Sequence, residues 1–239
     1  MAADDVDLTP AEGSPVGRRI VLGMAAAGAL AVVLGKQLTS ATSSAVGAVA
    51  PQLQSVIPAT GGFRIYTVTN GYPEMTKAEY RLTITSGSEV TTLTFDDVSA
   101  LPQTSMTKDF QCVTGWRVED VPWSGVLLSD IITRFGLEKH GKALAFTSFD
   151  GAYSESLTME QATRPDVLVA TSMYGAPITQ EHGGPVRLLV APMYAYKSIK
   201  WLDGIKATPE VEPGYWELRG YDIDAWVGKS NGRDDAPVV

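Results

Sequence analysis

Between Gly61 and Thr208 the sequence breaks into short runs in which apolar or β-branched residues recur at every second position, with turn residues between them. That period of two is the strongest constraint on the fold, because it suits strands with one buried face and does not suit long amphipathic helices. Phe63 to Thr69, Tyr80 to Thr85 and Val90 to Phe95 read as strands. Ser86-Gly87-Ser88 joins the last two into a hairpin. Ala143 to Phe149, Val167 to Thr171, Val186 to Ala191, Tyr194 to Leu202 and Ile205 to Thr208 continue the strand pattern, with turns at Asp150-Gly151 and Gly175-Ala176-Pro177. Helical spacing is confined to Asp96 to Pro102, begun by a capping Asp, to Trp123 to Gly136, about three turns closed by a glycine, and to Thr158 to Ala162. No repeat is present, strands do not alternate regularly with helices, and no Gly-x-Gly-x-x-Gly opens a helix. The expected class is a single α+β domain, mixed and strand-rich, not a doubly wound sheet.

Of 239 residues, 44% are hydrophobic and 19% charged, enough apolar material for one sizeable core. Asp and Glu outnumber Lys and Arg, 27 to 19, for a net charge of -8, which repels polyanions and argues against nucleic acid as a partner. A single cysteine excludes an intramolecular disulfide.

The first 17 residues carry Asp4, Asp5, Asp7 and Glu12 with Pro10 and Pro15 and are expected to be disordered. Arg18-Arg19 then precede a charge-free run from Ile20 to Gly35. Residues 18–38 resemble a twin-arginine export signal, since the apolar run is shorter than the roughly 20 residues that span a bilayer. Ala48-Val49-Ala50 has the small-x-small form of a cleavage site, but Pro51 follows it, so retention as an anchor is as consistent as removal. Residues 39–60, rich in Ser, Ala and Gly, read as a tether. The expected location is the extracytoplasmic side of a bacterial cell membrane, anchored or released.

Three stretches can carry chemistry. Phe110-Gln111-Cys112-Val113-Thr114-Gly115-Trp116 places the lone thiol beside a turn, where it can bind a soft metal, act as a nucleophile, or pack as a small apolar side chain. His182-Gly183-Gly184-Pro185-Val186-Arg187 sets an imidazole and a guanidinium on either side of a backbone that a ligand can approach, or is a plain turn. Tyr194 to Trp201 gathers two Lys, one Ser and two Tyr in an acidic protein, as a phosphate site or as a strand with solvated lysines. There is no Gly-x-Ser-x-Gly elbow, no known signature around the thiol for a Cys-His hydrolase, and too few His and Cys for a zinc site.

Taken in order, with Val121-Pro122-Trp123-Ser124-Gly125-Val126 behind the cysteine and Lys197-Ser198-Ile199-Lys200-Trp201-Leu202 at the end, these motifs resemble the molybdopterin-binding domain of the sulfite oxidase family. The resemblance covers about Phe63 to Ala207, within a domain at 61–208, and leaves 209–239 as a tail packed on that domain. It implies a sulfite-oxidase-like fold and a molybdenum-molybdopterin cofactor, with no haem in this chain. It implies that Cys112 is the metal ligand and catalytic centre, and that His182, Arg187, Tyr196, Lys197, Ser198 and Lys200 bind the cofactor, joined by Ser148 and Tyr66. The Arg-Asn-His of sulfite-oxidising members is missing near the first strand, where Ile65 to Gly71 stand instead, and Arg117 is the nearest cation after the cysteine. The chain is closer to compact exported bacterial members that resemble the catalytic subunit of periplasmic sulfoxide reductases. Such an enzyme moves an oxygen atom from a small S-oxide or N-oxide, takes electrons from a haem-containing membrane partner, and is a monomer in its soluble domain. A sulfite-type dehydrogenase and a non-catalytic tethered subunit of a membrane complex are the alternatives.

Overall fold

The computed structural model describes residues 62–69 and 71–230. The expected disordered start at 1–17, the export signal at 18–38 and the tether at 39–60 lie outside the described residues, as does the tail beyond Ser230. Among the described residues no helix is long and apolar enough to cross a membrane.

Among the described residues ten strands form two five-stranded sheets. In the first sheet, β1 (Arg81–Ser86) and β2 (Glu89–Thr94) form the expected hairpin, closed at Gly87 with φ +60°. β10 (Leu202–Thr208) runs parallel to β1 and antiparallel to β5 (Ala143–Ser148), and β6 (Ser154–Thr158) closes the edge. In the second sheet, β3 (Thr104–Gln111) pairs with β4 (Arg117–Leu127), β4 with β7 (Val167–Met173), and β7 with both β8 (Ala176–Pro177) and β9 (Arg187–Val190). The helices α1 (Phe95–Ala100), α2 (Leu128–Phe135) and α3 (Met159–Ala162) are short. The strand-rich α+β class is observed.

Strand periodicity distributes the core. On β7, Val167 and Val169 join one apolar cluster while Leu168 and Ala170 join a second, so the strand is buried on both faces and reads as an unbroken apolar run. The first cluster holds Leu82, Ile84, Phe146 and Ile205 of the first sheet, and the second holds Phe110, Trp116 and Trp123. Arg187 shares its strand face with Leu189, a member of the aromatic cluster.

Several expectations are corrected. Phe63 to Thr69 is not a strand: Thr67 Oγ1 accepts from Thr69 N at 3.1 Å, a local bond that takes the place of a ladder bond, and among the described residues no strand pairs with the segment. The cap of α1 is Thr94, in a reciprocal capping box with Asp97, and so lies earlier in the chain than the Asp96 expected there. The helix expected from Trp123 starts only at Leu128, because Trp123 to Leu127 pair with β7 and place Trp123 and Val126 in the core. Its glycine stop is as expected, Gly136 standing at φ +62°. Tyr194 to Trp201 is not a strand but a 3-10 turn at Ala195–Lys197 and an irregular stretch. β3, most of β4 and β6 have no clear signal in the sequence. β6 buries Glu155 and Ser156, so its buried face lacks an apolar pattern.

Candidate active site

Cys112 stands just past the end of β3, at the start of the loop that turns into β4. Cys112 N donates to Trp116 O at 2.9 Å, Gly115 N donates to Cys112 O at 3.0 Å, and Gly115 at φ +105° makes the reversal that a side chain would strain. The Thr114 hydroxyl donates to Cys112 Sγ at 3.2 Å. The thiol is half-buried and faces a cavity of about 360 Å³. Phe63, Trp116, Tyr153, Trp216 and Tyr221 give that cavity aromatic walls.

Of the residues expected at the site, Tyr66, Cys112, His182, Arg187, Tyr196, Ser198 and Lys200 all line this one cavity. Ser148 and Lys197 do not. Ser148 Oγ accepts from Asp150 N at 3.2 Å and so supports the turn that carries the cavity residues Asp150 and Tyr153. Lys197 is 1% exposed, its ammonium 2.6 Å from both Glu155 Oε2 and Glu217 Oε1. Tyr66 is 52% exposed at the cavity.

Two glycines make the basic cluster possible. A Cβ on Gly183 would lie 2.6 Å from Lys200 Cβ, and one on Gly184 would lie 2.0 Å from Ile178 O. The His182 loop therefore packs directly on the Lys200 segment. Trp201 adopts φ +56°, a conformation that costs a bulky residue about 1–3 kcal/mol and is held here by Trp201 N donating to Gly183 O and the indole N–H donating to Gln180 O. Lys200 Nζ then rests 4.2 Å from the Trp201 ring centre and donates to Tyr66 O.

Arg187 is 3% exposed. Its guanidinium donates to His182 O at 2.7 Å and to Ser198 O at 2.9 Å, while Ser198 Oγ accepts from Val190 N at 2.9 Å. Among the described residues neither Arg187 nor Lys200 has a carboxylate at ion-pair distance. Burial pushes Arg187 down to about 9. Burial and the nearby Arg187 push Lys200 down to about 7, and burial with both cations pushes His182 down to about 4, leaving it neutral. A buried cation balanced only by carbonyl dipoles is complementary to an anion that arrives from outside.

Sequence reading did not single out Phe63, Asp150, Tyr153, Trp216 or Tyr221. Trp116 was visible within the cysteine motif, and the others come together only through the fold.

The profile of the oxidoreductase molybdopterin-binding domain matches residues 69–216. The chain belongs to this molybdopterin-binding oxidoreductase family, the sulfite oxidase family. It is similar to the uncharacterized oxidoreductase YuiH of Bacillus subtilis, 36% identical over 136 residues that cover 56% of this chain and 68% of the relative. It is also similar to the protein-methionine-sulfoxide reductase catalytic subunit MsrP of Xanthomonas campestris, 33% identical over 44% of this chain and 37% of that one. Sulfite oxidase of Arabidopsis thaliana is 29% identical over 53% of this chain and 41% of the plant protein. The match thus spans well under half of the last two. The sulfane dehydrogenase SoxCD of Paracoccus pantotrophus has the same fold, with a TM-score of 0.56 over 63% of this chain and 43% of that one at 24% identity.

The cavity fits the cofactor of the molybdopterin-binding family. Among the described residues no group of three or more His, Cys, Asp and Glu can hold a metal, so protein side chains alone supply no complete coordination sphere. A metal that takes most of its ligands from an organic cofactor needs only one thiolate, and Cys112 is there. Arg187 and Lys200, in the same cavity and without a carboxylate partner among the described residues, complement the negative charge of such a cofactor.

Proposed function

We propose that this molybdenum-dependent oxidoreductase reduces the S-oxide or N-oxide of a small molecule, with electrons from a haem-containing membrane partner. We further propose export by a twin-arginine route, which rests on Arg18-Arg19 and the apolar run behind them. The observation that carries the catalytic reading is that Cys112 Sγ and the carboxylate-free Arg187 guanidinium line one aromatic-walled cavity.

In this reading Cys112 is the protein ligand of the metal, and Arg187, Lys200, His182 and Ser198 form the cofactor-binding side, with Tyr196 and Tyr66 contributing walls. The bound cofactor supplies a metal centre that changes oxidation state by two electrons and exchanges an oxygen atom. The protein's share is to orient, to exclude water and to set charge. For an S-oxide the balance is the oxide, two electrons and two protons in, and the thioether and one water out.

In this reading the substrate is a neutral oxygen donor and not sulfite, with Arg187 and Lys200 given to the cofactor and Arg64 the other cation that lines the cavity. Arg117, the nearest cation after the cysteine, is turned to Glu119 at 3.0 Å and Asp109 at 3.8 Å and does not line the cavity. A dianion such as sulfite gains most from fixed cations beside the metal, whereas a neutral S-oxide gains from aromatic walls. The name of the Xanthomonas relative, a catalytic subunit of a sulfoxide reductase, is in keeping with this reading and with a separate electron partner.

The test is turnover of protein made in a molybdopterin-competent host, with reduced benzyl viologen and a panel of S-oxides and N-oxides, beside sulfite oxidation with ferricyanide. Reduction of at least one oxide is expected. Sulfite oxidation without any oxide reduction would overturn the reading.

A further inference from the structure

The buried cluster Lys197, Glu155 and Glu217 lies outside the cavity, and nothing in the reading above uses it. Lys197 stands between Tyr196 and Ser198, both of which line the cavity, yet its own side chain turns away. Its ammonium bridges β6, through Glu155, and the 3-10 turn Glu217–Arg219, through Glu217.

That second anchor belongs to the chain after β10, which packs on the domain through hydrogen bonds as well as apolar and aromatic contacts. Tyr215 N donates to Ser154 O at 3.0 Å, the Ser156 hydroxyl donates to Glu212 O, and the Tyr196 hydroxyl donates to Asp222 O at 2.7 Å. Gly214 sits so close to β6 that a Cβ there would lie 2.6 Å from Ser154 O. Tyr215 stacks on Tyr153 with ring centres 5.4 Å apart. Glu217 is flanked in sequence by Trp216, and Trp216 and Tyr221, in contact at 5.2 Å, both line the cavity.

We infer that Lys197 is a positioning residue that clamps the segment from Gly214 to Asp222 against β6, and so fixes the Trp216 and Tyr221 wall that faces the substrate. This assigns Lys197 a different role from the phosphate ligand that its sequence motif suggests, and its kinetic consequence rests on the proposed oxide reduction. The cluster is also electrically lopsided. Two carboxyls share one ammonium, and among the described residues Glu155 Oε1 and Glu217 Oε2 have no hydrogen-bond partner. Burial, reinforced by the negative charge of Glu217 and partly offset by Lys197, pushes Glu155 up to about 8, so that it carries a proton near neutral pH. Glu217 is the carboxyl of the cluster that the segment itself carries, so its side chain is the one whose loss frees the segment.

The test compares Glu217→Gln with the parent holoenzyme. This variant keeps the Lys197–Glu155 pair and the side-chain volume, so folding is spared the stranded carboxyls that Lys197→Met would create. Amide hydrogen exchange across residues 214–222 should quicken by about tenfold, the scale set by losing a charge-assisted hydrogen bond. KM for the reducible oxide should rise about fivefold or more with kcat within about twofold, and pterin and molybdenum content should match the parent. Lys197→Met, if it folds, should show the same exchange signature with the cofactor retained. Unchanged exchange in Glu217→Gln, or loss of pterin from Lys197→Met with exchange unchanged, would overturn the clamp and return Lys197 to cofactor binding. Exchange and cofactor content are read without turnover, so a wrong substrate assignment does not disturb them.

Discussion

The Arg187 guanidinium carbon lies 5.0 Å from the centre of the Phe110 ring, and Phe110 is two residues before Cys112 on the same strand end. Trp123 lies under the same cation at 5.6 Å. Two motifs far apart in the chain thus meet through a buried cation and two rings. The rings shield the charge from water without neutralising it.

Arg187→Lys keeps the charge but loses the planar fork that reaches His182 O and Ser198 O together. Pterin content of the purified protein is expected to fall severalfold, and stability to drop by about 1–3 kcal/mol as buried carbonyls lose donors. Fluorimetric pterin assay and denaturant titration check the two effects.

Cys112→Ser replaces a soft thiolate by a hard, weakly acidic hydroxyl of similar size at a half-buried position on the edge of both apolar clusters. Folding should be retained within about 1 kcal/mol, while oxide reduction falls by about two orders of magnitude or more. Activity close to the parent would remove the thiol from the chemistry.

Sulfate, whose charge is constant near neutrality, is a probe of the basic cluster in cofactor-free protein. Lys200 has its pKa depressed to about 7 by burial and by Arg187, so its protonated fraction falls through neutral pH, while His182 is neutral throughout that range. An anion favours protonated Lys200, and its affinity should weaken about tenfold between about pH 6 and about pH 8. Isothermal titration calorimetry of the parent and of Lys200→Met measures this, and the variant should lose the slope.

Glu155 has a folded-state pKa raised from 4.5 to about 8. The folded protein therefore binds a proton that the unfolded chain has released, and stability that is full below about 4.5 is lost as pH rises through about 8. Thermal midpoints should decline over that window, and Glu155→Gln should flatten the decline. A parent midpoint that instead rises steadily from about pH 5 to about pH 8 would contradict a protonated Glu155.

Local features were legible in the sequence. The β1–β2 hairpin was readable because both strands and the Gly87 turn are contiguous in the chain, and the Gly136 stop was readable because only a residue free of Cβ strain suits φ +62°. The three motifs pointed to one site because their residue types suit a thiolate-ligated metal and an anion. The sequence determined the strand-rich class, the family and seven of the residues that line the cavity.

Only tertiary structure decided the rest. Trp123 to Val126 has helical spacing, but strands on both sides convert it to β structure, since two ladders and a buried Trp outweigh local propensity. Phe63 to Thr69 has strand spacing, but without a partner strand among the described residues it becomes a cavity wall. Lys197, Ser198 and Lys200 look equivalent in a row of basic and polar residues. The 3-10 turn at Ala195–Lys197 and the positive φ of Trp201 send Ser198 and Lys200 to the cavity and Lys197 into the core. Which way a side chain faces depends on backbone torsions set by packing, and the acids that capture Lys197, Glu155 before it and Glu217 after it, lie beyond the reach of any local pattern.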